Sequence, residues 1–172
     1  MEMINDMFCQ ISCCVPYLQI LELDLYRLQV SIELLPFPKL PKLKGMTIRV
    51  VEQGEDGVLA LTSLVEACPN LQRFSIMKTS LFSAGKMDRE VRQMAKKPHQ
   101  HLEVVEIDEY HGGTSDLELV MYFIQNCVAL KKLVIEATME DEDEDEDEDG
   151  GRYRAQQQLE PRIPDGVELV IL

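Results

Sequence analysis

Three histidines are the first residues in this sequence that have the chemistry of metal ligands. His99 and His101 are two positions apart, and His111 follows ten positions later. A His-x-His pair beside a strand can bind zinc, but a zinc site needs further protein ligands. No cysteine or carboxylate stands at a fitting third-ligand spacing, so we predict exposed loop histidines and no metal.

The five cysteines could supply nucleophiles, metal ligands or disulfides. Cys9, Cys13 and Cys14 contain no Cys-x-x-Cys pair, and an odd total provides no disulfide framework. Cys68 and Cys127 each stand three residues before a leucine of a repeated pattern described below. We therefore predict that these two are small buried thiols, in a reducing cytoplasmic or nuclear compartment.

An acidic run, Glu140–Asp149, contributes ten of the charges that make the net charge -14, so the remainder carries -4. A solvated, disordered loop is the interpretation we favour. The alternatives are a surface for basic partners such as histones, and a calcium loop over Asp145–Gly150 with Gln156 in place of the bidentate Glu. Neither the net charge of -14 nor the remainder of -4 suits binding to nucleic acid, which requires a clustered Lys/Arg face.

The sequence carries no recognisable catalytic constellation. It has no nucleophile elbow, phosphate-binding loop or dinucleotide glycine pattern, and no convergent acid and base residues. No apolar stretch approaches the ~20 residues of a membrane-spanning helix, and the N-terminus lacks the basic region of a secretory signal. We therefore expect a protein that is not an enzyme, has no cofactor and does not associate with a membrane.

The elements that position these residues come from a repeated spacing: apolar, two variable, apolar, one variable, apolar. Its five kernels are Leu18/Leu21/Leu23, Leu43/Met46/Ile48, Leu71/Phe74/Ile76, Leu102/Val105/Ile107 and Leu130/Leu133/Ile135. Their first leucines are 25, 28, 31 and 28 residues apart. This kernel at a period of roughly 20–29 residues is the leucine-rich-repeat signature, and each kernel predicts a short strand.

Helical spacing separates the strands. Leu117, Val120, Ile124 and Cys127 fall on one helical face, and Ser115–Glu118 matches a capping box, which predicts a helix start at Ser115.

The chain end predicts a sixth strand. Val167, Val170 and Leu172 have the kernel spacing 37 residues after Leu130, or 27 without the acidic run. We therefore predict that the run is a loop insertion. The predicted fold is α/β, a leucine-rich-repeat-like solenoid of about six short parallel strands alternating with helices.

Several segments together resemble the FBD domain of plant F-box/leucine-rich-repeat proteins. They are His101–Ile107, Gly112-Gly113, Leu117–Cys127, Leu130–Ile135 and Asp165–Leu172, with Ala67–Ile76 similar to the upstream repeats. The resemblance covers residues 56–172 well and 15–55 loosely. It implies the target-recognition part of an SCF-type ubiquitin ligase subunit.

No F-box is visible before Leu18, which places docking of the Skp adaptor in doubt for this chain. The chain is then a fragment of a longer protein, or a truncated family member that binds a target without delivering it or has lost its function. We divide it into an irregular N-terminal segment (1–17), a leucine-rich-repeat region (18–98) and FBD-like repeats (99–172) with the acidic insertion at 140–149.

The predicted partner site is the concave face of the solenoid, where the variable strand residues point. The candidate residues are Glu22, Asp24, Thr47, Arg49, Arg73, Ser75, Glu106, Asp108, Lys132 and Glu136. Their mixed charges suit a protein partner, and we expect a monomer. The alternative is that these are solvated strand residues without a ligand. A second alternative for the whole chain is an acidic leucine-rich-repeat nuclear protein that binds histones or other basic partners.

Overall fold

One parallel sheet organises the chain. The structure, a computed structural model, describes residues 13–25, 38–52, 61–80, 90–91, 97–138 and 150–172. The strands are β1 (Ile20–Asp24), β2 (Gly45–Glu52), β3 (Arg73–Ser80), β4 (Val104–Tyr110), β5 (Lys132–Ala137) and β6 (Glu168–Ile171). Their spatial order is the order of the sequence, and all five neighbouring pairs are parallel. The predicted α/β, leucine-rich-repeat-like fold is confirmed.

Kernel residues of successive strands lie in register and build the core. One row holds Leu21, Met46, Phe74, Val105, Leu133 and Leu169. The second row holds Leu23, Ile48, Ile76, Ile107, Ile135 and Ile171. Side chains alternate along a strand, so each strand contributes these kernel residues to one face of the sheet. The opposite face is called the open face below.

Helices cover the core face between strands. Those in the described part are α1 (Thr62–Glu66), α2 (Thr114–Asn126) and α3 (Gly150–Leu159), and Glu160–Arg162 continues α3 as a 3-10 turn. The Phe123 ring of α2 lies 5.2 Å from the Phe74 ring of β3, centroid to centroid. Ala155 and Leu159 anchor α3 in the same core. Neither α1 nor α2 is expected to be stable alone, so packing on the sheet holds them.

The predicted helix over residues 117–127 is confirmed, but its predicted start at Ser115 is wrong. The N-cap residue of α2 is Gly113, and it makes no side-chain cap. Instead Asp116, in the first turn, reaches back to accept hydrogen bonds from the backbone N–H groups of His111 (2.9 Å) and Gly112 (3.1 Å). The Asp116 carboxylate thus provides an acceptor for two backbone N–H groups at the positive end of the helix. It replaces the cap that Ser115 was expected to provide.

A buried ion pair joins α2 to the sheet. Lys78 occupies an inward position of β3, and its ammonium group donates to the second carboxylate oxygen of Asp116. The Lys78 side chain is 1% exposed and that of Asp116 is 6% exposed. Charges so far from water persist only when they are paired and hydrogen-bonded, and here both conditions are met.

A bulge near the end of β4 brings a tyrosine into the core. The register with β5 shifts between Ile107 and Tyr110, and Glu109 has a φ of 53°. The extra residue turns Tyr110 inward, where its buried hydroxyl donates to Gln158 Oε1 at 2.8 Å. The bulge thereby ties β4 to α3 across the intervening strand.

The predicted sixth strand is present, but its predicted register is wrong by one residue. Leu169 and Ile171, and not Val170 and Leu172, align with the core residues of β5. The reason is a tight turn before the strand, in which the Val167 N–H donates to the Pro164 carbonyl. This turn shortens the kernel by one residue, and a one-residue shift moves every side chain to the opposite face.

The prediction of buried thiols is confirmed. Cys68 and Cys127 are both buried, and Cys68 Sγ donates to the Leu64 carbonyl at 3.2 Å. Burial raises the pKa of each thiol to about 12. The acidic run Glu140–Asp149 lies outside the described residues.

Candidate partner-binding surface

The open face brings all ten predicted site residues onto one surface. Each stands at a strand position that alternates with a core residue, as Thr47 does between Met46 and Ile48. The sheet places residues from five strands beside one another there, and nine of the ten are half-buried or exposed, whereas Ser75 is buried at 9% exposure. Whether a partner occupies that face stays a prediction.

Register arranges the open face in three rows across the strands. The first row is Ile20, Gly45, Arg73, Val104, Lys132 and Glu168. The middle row is Glu22, Thr47, Ser75, Glu106, Val134 and Val170. The third row is Asp24, Arg49, Met77 and Asp108, continued by Glu136 on β5. Neighbours in a row are about 4.8 Å apart in backbone spacing.

Ion pairs neutralise both ends of the open face. Arg49 Nη1 lies 3.5 Å from Glu22 Oε2, between β2 and β1. Lys132 Nζ lies 3.5 Å from Glu168 Oε1, between β5 and β6. Exposed pairs of this kind contribute at most about 1 kcal/mol to folding, so their main effect is to cancel charge locally.

The middle of the face carries uncancelled negative charge. Glu106, Asp108 and Glu136 form no salt bridge with any residue in the described ranges. Partial burial raises the pKa of Asp108 above its ordinary value, and the carboxylates of Glu136, Glu106 and Glu109 raise it further, in that order. This part of the face therefore favours a positively charged group from outside.

Apolar side chains of the open face were missed by the sequence prediction. Val104, Val134 and Val170 are half-buried there, and Met77 is 38% exposed. Leu172 follows β6 on the same side by alternation and is 57% exposed. The prediction selected polar residues, although strict alternation from each kernel would have included Met77 and Val134 as well.

The histidines occupy three different environments. His99 pairs with Cys127 in an isolated bridge between backbones, and its Nε2 lies 2.7 Å from the Tyr122 hydroxyl. Burial lowers the pKa of His99, and Glu66 partly opposes that shift. His101 is exposed, whereas both ring nitrogens of His111 are buried without a hydrogen-bond partner. The prediction of exposed loop histidines is therefore wrong for His99 and His111.

Metal-ligating side chains do not converge in the described ranges. Those ranges hold no group of three or more His, Cys, Asp or Glu side chains arranged to bind a metal ion. Cys13 and Cys14 are exposed neighbours whose Sγ atoms lie 3.7 Å apart, and Cys9 is outside the described ranges. No helix in the part of the chain that the structure describes is both long enough and apolar enough to cross a bilayer.

Comparison with known proteins identifies the repeats. The family model described as "At1g61320/AtMIF1, LRR domain" matches residues 1–160. No curated protein and no solved structure matches the chain. The matched range includes β1 to β5 and α3, so it covers nearly the whole open face.

Proposed function

The chain belongs to the At1g61320/AtMIF1 leucine-rich-repeat domain family, and from this membership we propose that it binds a protein partner on its open face. Membership of this family supports a protein-interaction role. The observation that carries the choice of face is the register of the parallel sheet. It makes neighbours of side chains that are about 28 residues apart in sequence, such as Thr47 and Ser75.

The charge distribution supports selective binding. Negative charge is concentrated at Glu106, Asp108 and Glu136, while Arg73 stands on β3 in the first row. A surface with both signs at fixed positions repels partners of the wrong pattern, which gives specificity more than raw affinity. The core beneath holds these positions in place because the core residues that alternate with them along β1 to β5 are buried.

A matched pair of variants tests the proposal. The partner is first captured by a photoreactive amino acid placed at Thr47, and its affinity for the purified chain is then measured. Thr47→Arg, in the middle row, is expected to weaken binding at least about tenfold, the loss that 1.4 kcal/mol represents.

The control is Gln157→Arg on an exposed position of α3, which makes the same change of charge. Its affinity should stay near that of the unmodified chain. If the Gln157 variant loses affinity and the Thr47 variant does not, the partner binds the helical side and the proposal is wrong.

The finer part of the proposal is that the partner is a target for ubiquitination. It is supported by the resemblance of residues 56–172 to the FBD region of F-box proteins. The test uses the complete gene product, which should co-precipitate with the Skp adaptor and shorten the half-life of the partner. A partner that binds the open face but is neither ubiquitinated nor stabilised by loss of the gene would refute the ligase role and leave the binding role standing.

A further inference from the structure

The part of the open face formed by β4, β5 and β6 combines three carboxylates with three apolar side chains. We call it the acid–apolar patch, and its members are Glu106, Asp108, Glu136, Val134, Val170 and Leu172. Glu106 stands beside Val134, and Val134 stands beside Val170. Within the patch the carboxylates therefore lie on β4 and β5, and the apolar residues lie on β5 and β6.

Among the residues that the structure describes, no cation pairs with its carboxylates, in contrast to Glu22 and Glu168 of the same face. Glu22 is paired with Arg49, and Glu168 with Lys132. Glu106 and Asp108 are two positions apart on one strand, about 6.7 Å, and Glu136 follows on the next strand. Like charges on adjacent strands destabilise a sheet, so the folded chain carries a repulsion that a bound cation would relieve.

Its apolar members are accessible although they do not contribute to the core. Val134 and Val170 point away from Leu133 and Ile171, which fill the opposite face, and Leu172 is 57% exposed. Contiguous apolar groups rimmed by charge are typical of protein-interaction surfaces. The charge determines which partner fits, because an acidic segment would be repelled and a neutral one would leave the carboxylates unpaired.

Spacing then defines the pattern of the partner. A peptide in extended conformation directs every second side chain to the same side, at intervals of about 6.7 Å. The distance from β4 to β6 is two strand spacings, about 9.6 Å. A chain crossing the strands can therefore place one residue over Glu106 and Asp108 and the residue two positions later over Val134 and Val170.

We propose that the acid–apolar patch binds an extended protein segment in which a Lys or Arg is followed two positions later by an apolar residue. This inference rests on the proposed function, since it names the class of partner that the open face takes. The basic side chain neutralises the β4 carboxylates, and the apolar one covers the valines of β5 and β6.

Synthetic peptides provide the test. The probe is Lys-Ser-Leu-Ser-Lys-Ser-Leu-Ser-Lys, and its affinity for the full chain is measured by fluorescence anisotropy at low salt. Two matched peptides serve as comparisons, one with Glu in place of Lys and one with Ser in place of Leu. We expect the Lys/Leu probe to bind at least about tenfold more tightly than either comparison peptide. Its affinity should fall as salt is added.

Variants of the chain locate the site. Asp108→Asn and Glu136→Gln together should lower the affinity for the basic peptide about tenfold, and Val134→Ser should lower it about fivefold. Glu66→Gln removes a carboxylate on α1, away from the open face, that Lys97 already neutralises, and it should change the affinity less than about twofold. Thermal unfolding confirms that each variant is folded.

The outcomes separate the two proposals. Equal or tighter binding of the acidic peptide overturns the inference. Equal losses from Glu66→Gln and from the double variant of Asp108 and Glu136 overturn it as well. If none of the peptides binds but Thr47→Arg still lowers the affinity of the captured partner, the inference is wrong and the proposed function holds. If the partner is insensitive to Thr47→Arg as well, both are wrong.

Discussion

The buried pair between Lys78 and Asp116 determines how firmly α2 is held on the sheet, and Asp116→Asn tests it directly. The carboxylate accepts three hydrogen bonds, from the Lys78 ammonium and from the backbone N–H groups of His111 and Gly112. An Asn side chain has one oxygen, so at least one of these donors then faces an NH₂ group. Whichever way the Asn amide is oriented, the Lys78 ammonium loses its counter-charge. The Lys78 side chain is only 1% exposed, so water cannot replace that charge.

The expected loss is large compared with the whole stability of the fold. Removing one partner of a buried pair costs about 3–5 kcal/mol, because an uncompensated charge is left away from water. Domains of this size unfold with about 5–15 kcal/mol in total. At about 2–4 °C per kcal/mol, the melting temperature should fall by roughly 6–20 °C.

Urea unfolding followed by circular dichroism measures the loss, with a double-mutant cycle as the control. Lys78→Met removes the cation but leaves Asp116 its two backbone donors, so it should cost less than Asp116→Asn. Lys78→Met combined with Asp116→Asn should cost less than the sum of the two, by about 0.5–3 kcal/mol. A loss below about 1 kcal/mol for Asp116→Asn, or additivity within about 0.5 kcal/mol, would refute the buried pair.

Three further changes have defined outcomes. Asp108→Asn should raise the free energy of unfolding at pH 7, and the gain should shrink as pH falls towards 4. The reason is that the pKa of Asp108 is raised in the folded chain, so stability is lost as pH rises through that pKa. Glu22→Gln should show no such gain. The lowered pKa of His99 means that the unfolded chain binds the proton more readily, so stability should decline as pH falls below about 6.5. A His99→Gln chain with the same decline between pH 7 and 5.5 would contradict this. Phe123→Ala should cost about 3–5 kcal/mol in urea unfolding, because the ring is fully buried against Phe74, whereas Ile124→Ala, at a half-buried position of the same helix, should cost less.

The fold was predictable where the kernels are unambiguous. Phe74 and Ile76 alternate with Arg73 and Ser75, so the pattern assigns one face of β3 to the core, and the structure has that face in the core. At the chain end the residues Leu169 to Leu172 are all apolar, and alternation then cannot select a face. The tight turn before β6 decides the register, and its length is not encoded in the kernel pattern.

The open face was predictable as a set of positions but not as a chemical surface. Glu106 and Asp108 follow from alternation around Ile107, which the sequence displays. The contrast between paired Glu22 and unpaired Asp108 arises only when strands 25 to 36 residues apart are aligned. The start of α2 was missed for a similar reason, because the donors that Asp116 satisfies lie in the preceding loop.

The order of the strands has a consequence for how the protein is made. Every strand pairs with the strand encoded immediately before it, as Ile20 with Gly45 and Lys132 with Glu168. A nascent chain emerging from the ribosome can therefore add one repeat at a time to a structure already present, without waiting for a distant segment to be synthesised. The edge of each unfinished sheet is exposed only for the time needed to translate about 25 to 36 residues, which at roughly 5–20 residues per second is a few seconds.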